Sequence, residues 1–113
     1  MEKSRYCTVA FPVDVRKLFT YIIPAGQLEK VRPGIRVMAP FGRRRQVGYC
    51  VSTRTPEDVP APDKLKAIDE VIDDTPLFPP HEIMFLLWLA DYYLSPPGRV
   101  FQAAHPSEAG VRR

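Results

Sequence analysis

Thirteen prolines are spread through the 113 residues of this chain, and they limit the length of every regular element. Proline has no backbone N–H and holds φ at about −65°, so it suits turns, strand ends and the first turn of a helix. Most of the prolines separate segments that are rich in apolar and β-branched residues. The spacing predicts short strands with one or two helices, and it does not fit a helical bundle.

The remaining composition is that of a globular domain. Hydrophobic residues make up 45% of the chain and charged residues 26%, and the length suffices for one domain with a modest core. No apolar run reaches the roughly 18 residues of a membrane span, and no signal peptide is recognisable. Cys7 and Cys50 occur without a CxxC pair or a suitably spaced histidine, so they are predicted to be core residues rather than zinc ligands. We therefore expect a cytoplasmic protein without a metal or a membrane partner.

Alternating apolar residues and turn signals predict five strands followed by helical elements. The predicted strands cover residues 5–11, 18–23, 35–39, 46–53 and 65–72. The fifth rests on alternation alone, and a short helix is its alternative. A mobile loop is expected at residues 55–62, a helix at 80–94 and a second short element at 98–104. The predicted fold class is α+β and β-rich: a small, twisted, mostly antiparallel β-barrel or curled sheet with helical elements at its C-terminal end.

The predicted helix at residues 80–94 is apolar around most of its circumference. A helix of this kind needs cover on all sides, and a small sheet covers only one face. Two interpretations remain open. The helix is either the fully covered centre of the domain, or one of its faces meets a partner outside this chain.

A strongly basic turn follows the third predicted strand. Gly42 supplies the backbone freedom of a tight turn, and Arg43, Arg44 and Arg45 come directly after it. Adjacent guanidinium groups repel one another unless anions lie between them, and phosphate is the anion that fits their planar fork best. The alternative is a solvated hairpin tip that is basic in order to protect a sheet edge.

Charge is distributed unevenly along the chain. Through residue 55, eleven basic residues face three acidic ones, a balance of +8; from residue 56 onward, five basic residues face ten acidic ones, a balance of −5. The polarity favours a polyanion as partner of the N-terminal half. No phosphate-binding GxxxxGK[ST] loop and no nucleophile with a placeable histidine are present, so an enzyme is the least supported class.

Five segments, taken in order, resemble a known family. They are residues 18–24 (LFTYIIP), 31–37 (VRPGIRV), 40–43 (PFGR), 65–68 (LKAI) and 88–93 (WLADYY). Together they closely resemble the N-terminal DNA-binding domain of the primosomal protein N′ family, the bacterial replication-restart helicases called PriA. The resemblance covers about residues 9–105, nearly the whole chain.

The resemblance implies a non-catalytic module that captures the 3′-terminal nucleotide of a nascent strand at a stalled replication fork, whatever its base. By motif match, the pocket positions are Phe19, Thr20, Gly42 and Lys66. Phe19 would form the pocket wall (a plain core phenylalanine is the alternative), Gly42 would admit the nucleotide to the backbone, and Lys66 would supply a cation. The guanidinium groups of residues 43–45 would hold nearby phosphates without reading sequence.

Thr20 departs from the family pattern, because the best-described members carry an aspartate at this position. A threonine hydroxyl donates and accepts a hydrogen bond but has no charge. The departure implies either a weaker contact to the terminal nucleotide or its replacement by another group, such as Asp14 or a water molecule.

The resemblance also implies the partners and the organisation of the longer protein. Residues 4–105 would form the 3′-end-binding domain and residues 106–113 the start of a linker to the helicase. ATP and zinc are expected only in those other portions, so this domain is expected to hold no cofactor. Expected partners are DNA with a free 3′ end, branched or forked DNA, the remainder of the helicase chain, other primosome proteins and single-strand-binding protein.

Two other functions fit parts of the sequence. One is a protein-interaction domain that docks through its apolar helix. The other is an SH3-like RNA-binding module, because residues 31–37 also suit such barrels. RNA binding of that kind would favour folded RNA, where shape and the 2′-hydroxyl dominate recognition.

Overall fold

The computed structural model describes residues 5–59 and 64–105, and this part of the chain contains five strands and two α-helices. Their bounds are β1 Tyr6–Ala10, β2 Phe19–Ile22, β3 Arg36–Phe41, β4 Arg44–Arg54, β5 Glu70–Val71, α1 Pro80–Tyr92 and α2 Pro97–Ala104. The predicted linker at residues 106–113 lies outside the described residues, as does part of the predicted mobile loop at 55–62. Residues 56–58 of that loop form a short 3₁₀ turn.

The five strands form one sheet in the order β2-β1-β4-β3-β5, and every neighbouring pair is antiparallel. The predicted β-rich α+β fold with C-terminal helices is therefore confirmed. The sheet curls without closing into a barrel. β4 begins at Arg44, two residues before the predicted start, because the hairpin from β3 turns within Gly42 and Arg43.

The predicted fifth strand is shorter than expected because its segment changes partners. The backbone of Lys66 and Ile68 is hydrogen-bonded to Ile22 of β2, at 2.8 and 3.1 Å, in a single parallel bridge. From Asp69 onward the segment is hydrogen-bonded to β3 instead, and only β5 forms a regular ladder there. Residues 64–72, here called the crossing segment, therefore connect β2 with β3.

One hydrophobic core fills the inside of the curl. It contains Cys7 and Val9 of β1, Val37 of β3 and Ile68 of the crossing segment, all almost fully buried. Both cysteines are free thiols within this core, as predicted. The side chains of β1 alternate between this core and the opposite face of the sheet, as residues of a strand with two covered faces do.

A second core lies between the outer face of the sheet and the two helices. It is built on Tyr49, Phe78 and Phe101, whose rings contact one another at centroid distances between 5.3 and 6.1 Å. Ile83 and Leu86 of α1 pack against this cluster. Both helices begin with proline in the first turn, where its missing N–H costs no hydrogen bond.

Candidate nucleic-acid interface

A cavity of about 420 Å³ opens where three separate parts of the chain meet. It is lined by residues 17–21 from the start of β2, residues 40–42 from the end of β3, and residues 64–66 before the bridge to Ile22. A volume of roughly 300–1,000 Å³ is typical of pockets that hold a small molecule or one nucleotide. The backbone hydrogen bonds between Ile22 and residues 66 and 68 fix the third wall against the first.

All four pocket residues expected from the sequence line this cavity. Phe19 and Thr20 belong to β2, Gly42 to the hairpin turn and Lys66 to the crossing segment. Phe19 and Thr20 are half-buried, whereas Gly42 and Lys66 are exposed. The curl of the sheet therefore collects residues that lie up to 47 positions apart in the sequence, from 19 to 66.

Phe19 belongs to the core and to the cavity wall at once. Its ring meets that of Phe41 edge-on at 5.2 Å and that of Phe11 at 5.9 Å. The ammonium of Lys17 lies 5.5 Å from the Phe19 ring centroid, within reach of a cation–π interaction. The aromatic packing fixes the orientation of the wall, and the half-exposed ring leaves apolar surface for a ligand.

Tyr21 holds two walls of the cavity together. Its hydroxyl donates a hydrogen bond of 2.6 Å to the backbone carbonyl of Pro40. Burial, with a smaller contribution from the nearby Cys7, raises the pKa of Tyr21 above its ordinary value of 10.0. The phenol therefore stays protonated, and remains a donor, throughout the neutral pH range.

Gly42 occupies the first central position of the two-residue turn between Phe41 and Arg44, with φ of +62°. A turn of this type favours glycine because L-residues rarely adopt such backbone angles. A Cβ atom at this position would meet no other atom within 4 Å. The backbone of the turn is thus open to a ligand in the cavity.

The sequence suggested that the three arginines form one cluster on a loop, but the structure does not bring them together in this way. Only Arg43 lies in the turn, because β4 begins at Arg44 and consecutive strand residues point to opposite faces. Arg45 donates to Asp69 at 2.9 Å. None of the three lines the cavity, and Arg43 and Arg44 are exposed beside it at the hairpin tip.

Two further lysines line the cavity and were missed in the sequence. Lys17 precedes β2, and Lys64 precedes Leu65 and Lys66. The repeated lysine at alternate positions, 64 and 66, was an available signal, but it lies in the acidic half of the chain. Among the lining residues that the structure describes, the ionisable groups are three lysines and the neutral Tyr21, with no carboxylate. Asp14, the proposed substitute for an acid at position 20, does not line the cavity and pairs with Arg99 at 3.0 Å.

A second distinctive surface lies on the helical side of the domain. Ile83, Leu86 and Ala90 of α1 are buried, so only one face of the helix is covered and the fully covered interpretation is wrong. The opposite face, here called the α1 aromatic face, exposes between 54% and 72% of each of its residues, Met84, Phe85, Trp88, Tyr92, Tyr93 and Leu94. Its rings form a continuous row, with Trp88 stacked on Phe85 at 6.1 Å and on Tyr92 at 5.3 Å.

The end of α1 extends this face, and one residue there has a strained backbone conformation. Ser95 N–H donates to the carbonyl of Ala90, and Leu94 N–H to that of Asp91, the paired bonds of a Schellman motif. The motif places Leu94 at φ +54°, a conformation usually given to glycine. A leucine held there keeps 67% of its surface exposed at the margin of the aromatic row.

Metal-binding clusters and membrane-spanning helices are absent from the described part of the chain. No group of three or more His, Cys, Asp or Glu side chains within residues 5–59 and 64–105 is arranged to hold a metal ion. No helix among the same residues has the length and apolar character to cross a membrane.

Comparison with known proteins gives a consistent match. The family model of the PriA 3′ DNA-binding domain (3′BD) matches residues 8–106. The curated relatives include replication restart protein PriA of Haemophilus influenzae, 39% identical over 98 residues that cover 87% of this chain and 13% of the relative. PriA of Treponema pallidum is 33% identical and covers 93% of this chain and 18% of its own length. PriA of Synechocystis is 38% identical over 79% of this chain. The chain thus spans less than a fifth of the length of these relatives.

Proposed function

The chain belongs to the family of PriA 3′ DNA-binding domains, and from this premise we propose that its cavity holds the 3′-terminal nucleotide of a DNA strand. The observation that carries the proposal is the meeting of Phe19, Thr20, Gly42 and Lys66 at one cavity of single-nucleotide size. The biological ligand would be the nascent strand at a stalled fork, and the domain would act as a binding module of a longer restart helicase.

The chemistry of the walls favours binding without base selection. Base edges are read mainly by amide, carboxylate and guanidinium groups that form paired hydrogen bonds. The lining residues within the described part of the chain include no Asn, Gln, Asp, Glu or Arg. Phe19 and Phe41 offer aromatic surface to any base, and stacking of this kind contributes about 1–3 kcal/mol. The Thr20 hydroxyl and the backbone of Gly42 are left to bind the sugar at the strand end.

The strand entering the cavity would pass the hairpin tip. Arg43 and Arg44 are exposed there and contact phosphates without reading sequence. Arg45 contributes less, since part of its hydrogen-bonding capacity is used by Asp69. If three phosphates are neutralised on single-stranded DNA, the logarithm of the association constant should fall with the logarithm of salt at a slope of roughly −2.

The test is fluorescence anisotropy with a linear single-stranded oligonucleotide and a covalently closed circle of the same sequence. We expect tighter binding of the linear strand, and four linear strands that differ only in the 3′-terminal base should differ less than about threefold. Lys66→Ala should remove most of the preference for the linear strand. Lys30→Ala, an exposed lysine outside the cavity, removes the same charge and is the matched control. Equal binding of circle and linear strand would reduce the domain to a general phosphate binder.

The α1 aromatic face favours a second, compatible role. We propose that it packs against another part of the PriA chain, because a continuous apolar patch of this kind is typical of an interface. Hydrogen–deuterium exchange over residues 84–94 should be slower in the full-length protein than in the isolated chain. Unchanged exchange with a concentration-dependent sedimentation coefficient would instead indicate contact between two copies. Unchanged exchange in a monomer would remove the interface proposal.

The RNA-binding alternative makes a separate prediction. A module of that kind would bind folded RNA in preference to single-stranded DNA, because it would contact the 2′-hydroxyls. Competition of a structured RNA hairpin against the linear DNA strand separates the two. A hairpin that displaces the DNA at lower concentration than unlabelled DNA would favour the RNA-binding reading.

A further inference from the structure

We propose that the cavity accepts strands that end in a 3′-phosphate, and that Lys17, Lys64 and Lys66 form a cationic rim which binds this terminal phosphate. The inference rests on the proposed capture of strand ends and specifies the kind of end. It is based on the three lysines that line the cavity and on the two segments of the chain to which they belong.

The three lysines that line the cavity belong to two segments of the chain. Lys17 lies at the entrance to β2, where the Phe19 ring holds its ammonium at 5.5 Å from the ring centroid. Lys64 and Lys66 lie on the crossing segment, which is fixed by the 2.8 Å bond from Ile22 N–H to the Lys66 carbonyl. An anion in the cavity would therefore lie near lysines of both segments.

Nothing in the described part of the chain neutralises this rim. The ion pairs of residues 5–59 and 64–105 are made by Arg36, Arg45 and Arg99, and none involves the three lysines. Among the described residues, no carboxylate lines the cavity. Thr20 lines the same cavity. Its hydroxyl can donate to a phosphate oxygen, whereas a carboxylate would repel it.

A terminal phosphate differs from the internal phosphates in charge. A phosphomonoester carries about −1.5 to −2 at neutral pH, whereas an internal phosphodiester carries a single charge. Each exposed cation strengthens the binding of an added anion by a small factor, so three together should give about three- to tenfold tighter binding. Strand cleavage that leaves the phosphate on the 3′ side would produce ends of this class.

The experiment compares four single-stranded oligonucleotides of one sequence by anisotropy at low salt. They are the linear strand with a 3′-hydroxyl, the same strand with a 3′-phosphate, the same strand with only a 5′-phosphate, and the closed circle. We expect the 3′-phosphate to bind about three- to tenfold tighter than the 3′-hydroxyl, and the 5′-phosphate to change binding less than about twofold.

Variants assign the effect to the rim. Lys64→Ala should remove most of the gain from the 3′-phosphate, and Lys30→Ala should leave the gain intact. Thr20→Asp should reverse the preference toward the 3′-hydroxyl. If Lys64→Ala weakens both linear strands equally, the lysine binds an internal phosphate and the proposal is overturned.

The outcomes separate this proposal from the one on which it rests. A 3′-hydroxyl strand that binds tighter than both the circle and the 3′-phosphate strand would support end capture and overturn phosphate acceptance. Linear strands that bind no better than the circle, whatever their ends, would overturn both.

Discussion

The hydroxyl of Tyr21 donates to the backbone carbonyl of Pro40 across 2.6 Å, and this bond joins strands that are not neighbours in the sheet. Tyr21 lies in β2 and Pro40 in β3, and β1 and β4 stand between them in the strand order. The contact exists only because the sheet curls. It therefore fixes the distance between two walls of the cavity.

Replacing Tyr21 with phenylalanine removes this bond and keeps the ring. Because the partly buried Pro40 carbonyl loses its donor, we expect the free energy of unfolding to fall by about 1 kcal/mol. Binding of the linear 3′-hydroxyl strand should weaken several-fold, since the walls are no longer held together. Tyr6→Phe is the control, because the described residues offer its hydroxyl no hydrogen bond. Urea denaturation and anisotropy measure the two effects, and an unchanged affinity would show that the walls need no tether.

Stability should decline at alkaline pH because buried acids must stay neutral in the folded state. Burial raises the pKa of Tyr21 and Tyr49, and a hydrogen bond with Cys7, together with burial, raises the pKa of Cys50. A raised folded pKa leaves stability intact below the unfolded pKa, about 8.5 for Cys and about 10 for Tyr, and removes it as pH rises toward the folded pKa. The urea midpoint should thus be flat near pH 7–8 and fall above about pH 8.5, more steeply above about pH 10.

Variants assign the two phases of this decline. Cys50→Ala should flatten the first phase and Tyr21→Phe part of the second. Each substitution also lowers the urea midpoint by an amount that does not depend on pH. A midpoint that stays level to pH 11 in the parent protein would contradict the raised pKa values.

Gly98 allows α2 to rest directly on the end of β1. A Cβ atom at this position would overlap the carbonyl group of Phe11 and the nitrogen of Pro12. Gly98→Ala must therefore push the helix away from the sheet, and we expect a loss of about 2–3 kcal/mol in unfolding free energy. Gly26→Ala is the matched control, because a Cβ there meets nothing within 4 Å. Equal stability of the two variants would show that the helix adjusts without cost.

Leu94 is the residue at which a stabilising substitution is expected. A left-handed L-residue costs roughly 1–2 kcal/mol, and glycine removes that strain while adding some entropy to the unfolded chain. Leu94→Gly should therefore raise the unfolding free energy by about 0.5–1 kcal/mol. Leu94→Ala truncates the side chain but keeps the Cβ, so it should give no such gain. If alanine and glycine stabilise equally, the exposed side chain rather than the backbone is the cause.

The sequence predicted those features that depend on local chemistry. Proline and glycine mark the ends of strands and the start of both helices, so the element order and the fold class followed. The alternation of residues 65–72 indicated a strand, but alternation reveals which face is buried and not which strand is the partner. The change from β2 to β3 within that segment was therefore beyond prediction.

The candidate site also contains some residues that could be predicted from the sequence and others that could not. Phe19, Thr20, Gly42 and Lys66 followed from the family resemblance. Lys17 did not, because its place beside the cavity depends on the curl of the sheet rather than on a local pattern. The three arginines were expected on one loop because the fourth strand was predicted to begin at residue 46. It begins two residues earlier, at Arg44, so two of the arginines belong to the strand and point to opposite faces.

Trp88 is the sole tryptophan of the chain, and 57% of it is exposed in the middle of the α1 aromatic face. It does not line the cavity. The indole therefore provides an intrinsic fluorescent reporter that responds to coverage of the helix, whereas the labelled DNA reports occupancy of the cavity. The two surfaces can be titrated separately in one unmodified protein, because the tryptophan and the DNA label fluoresce at different wavelengths.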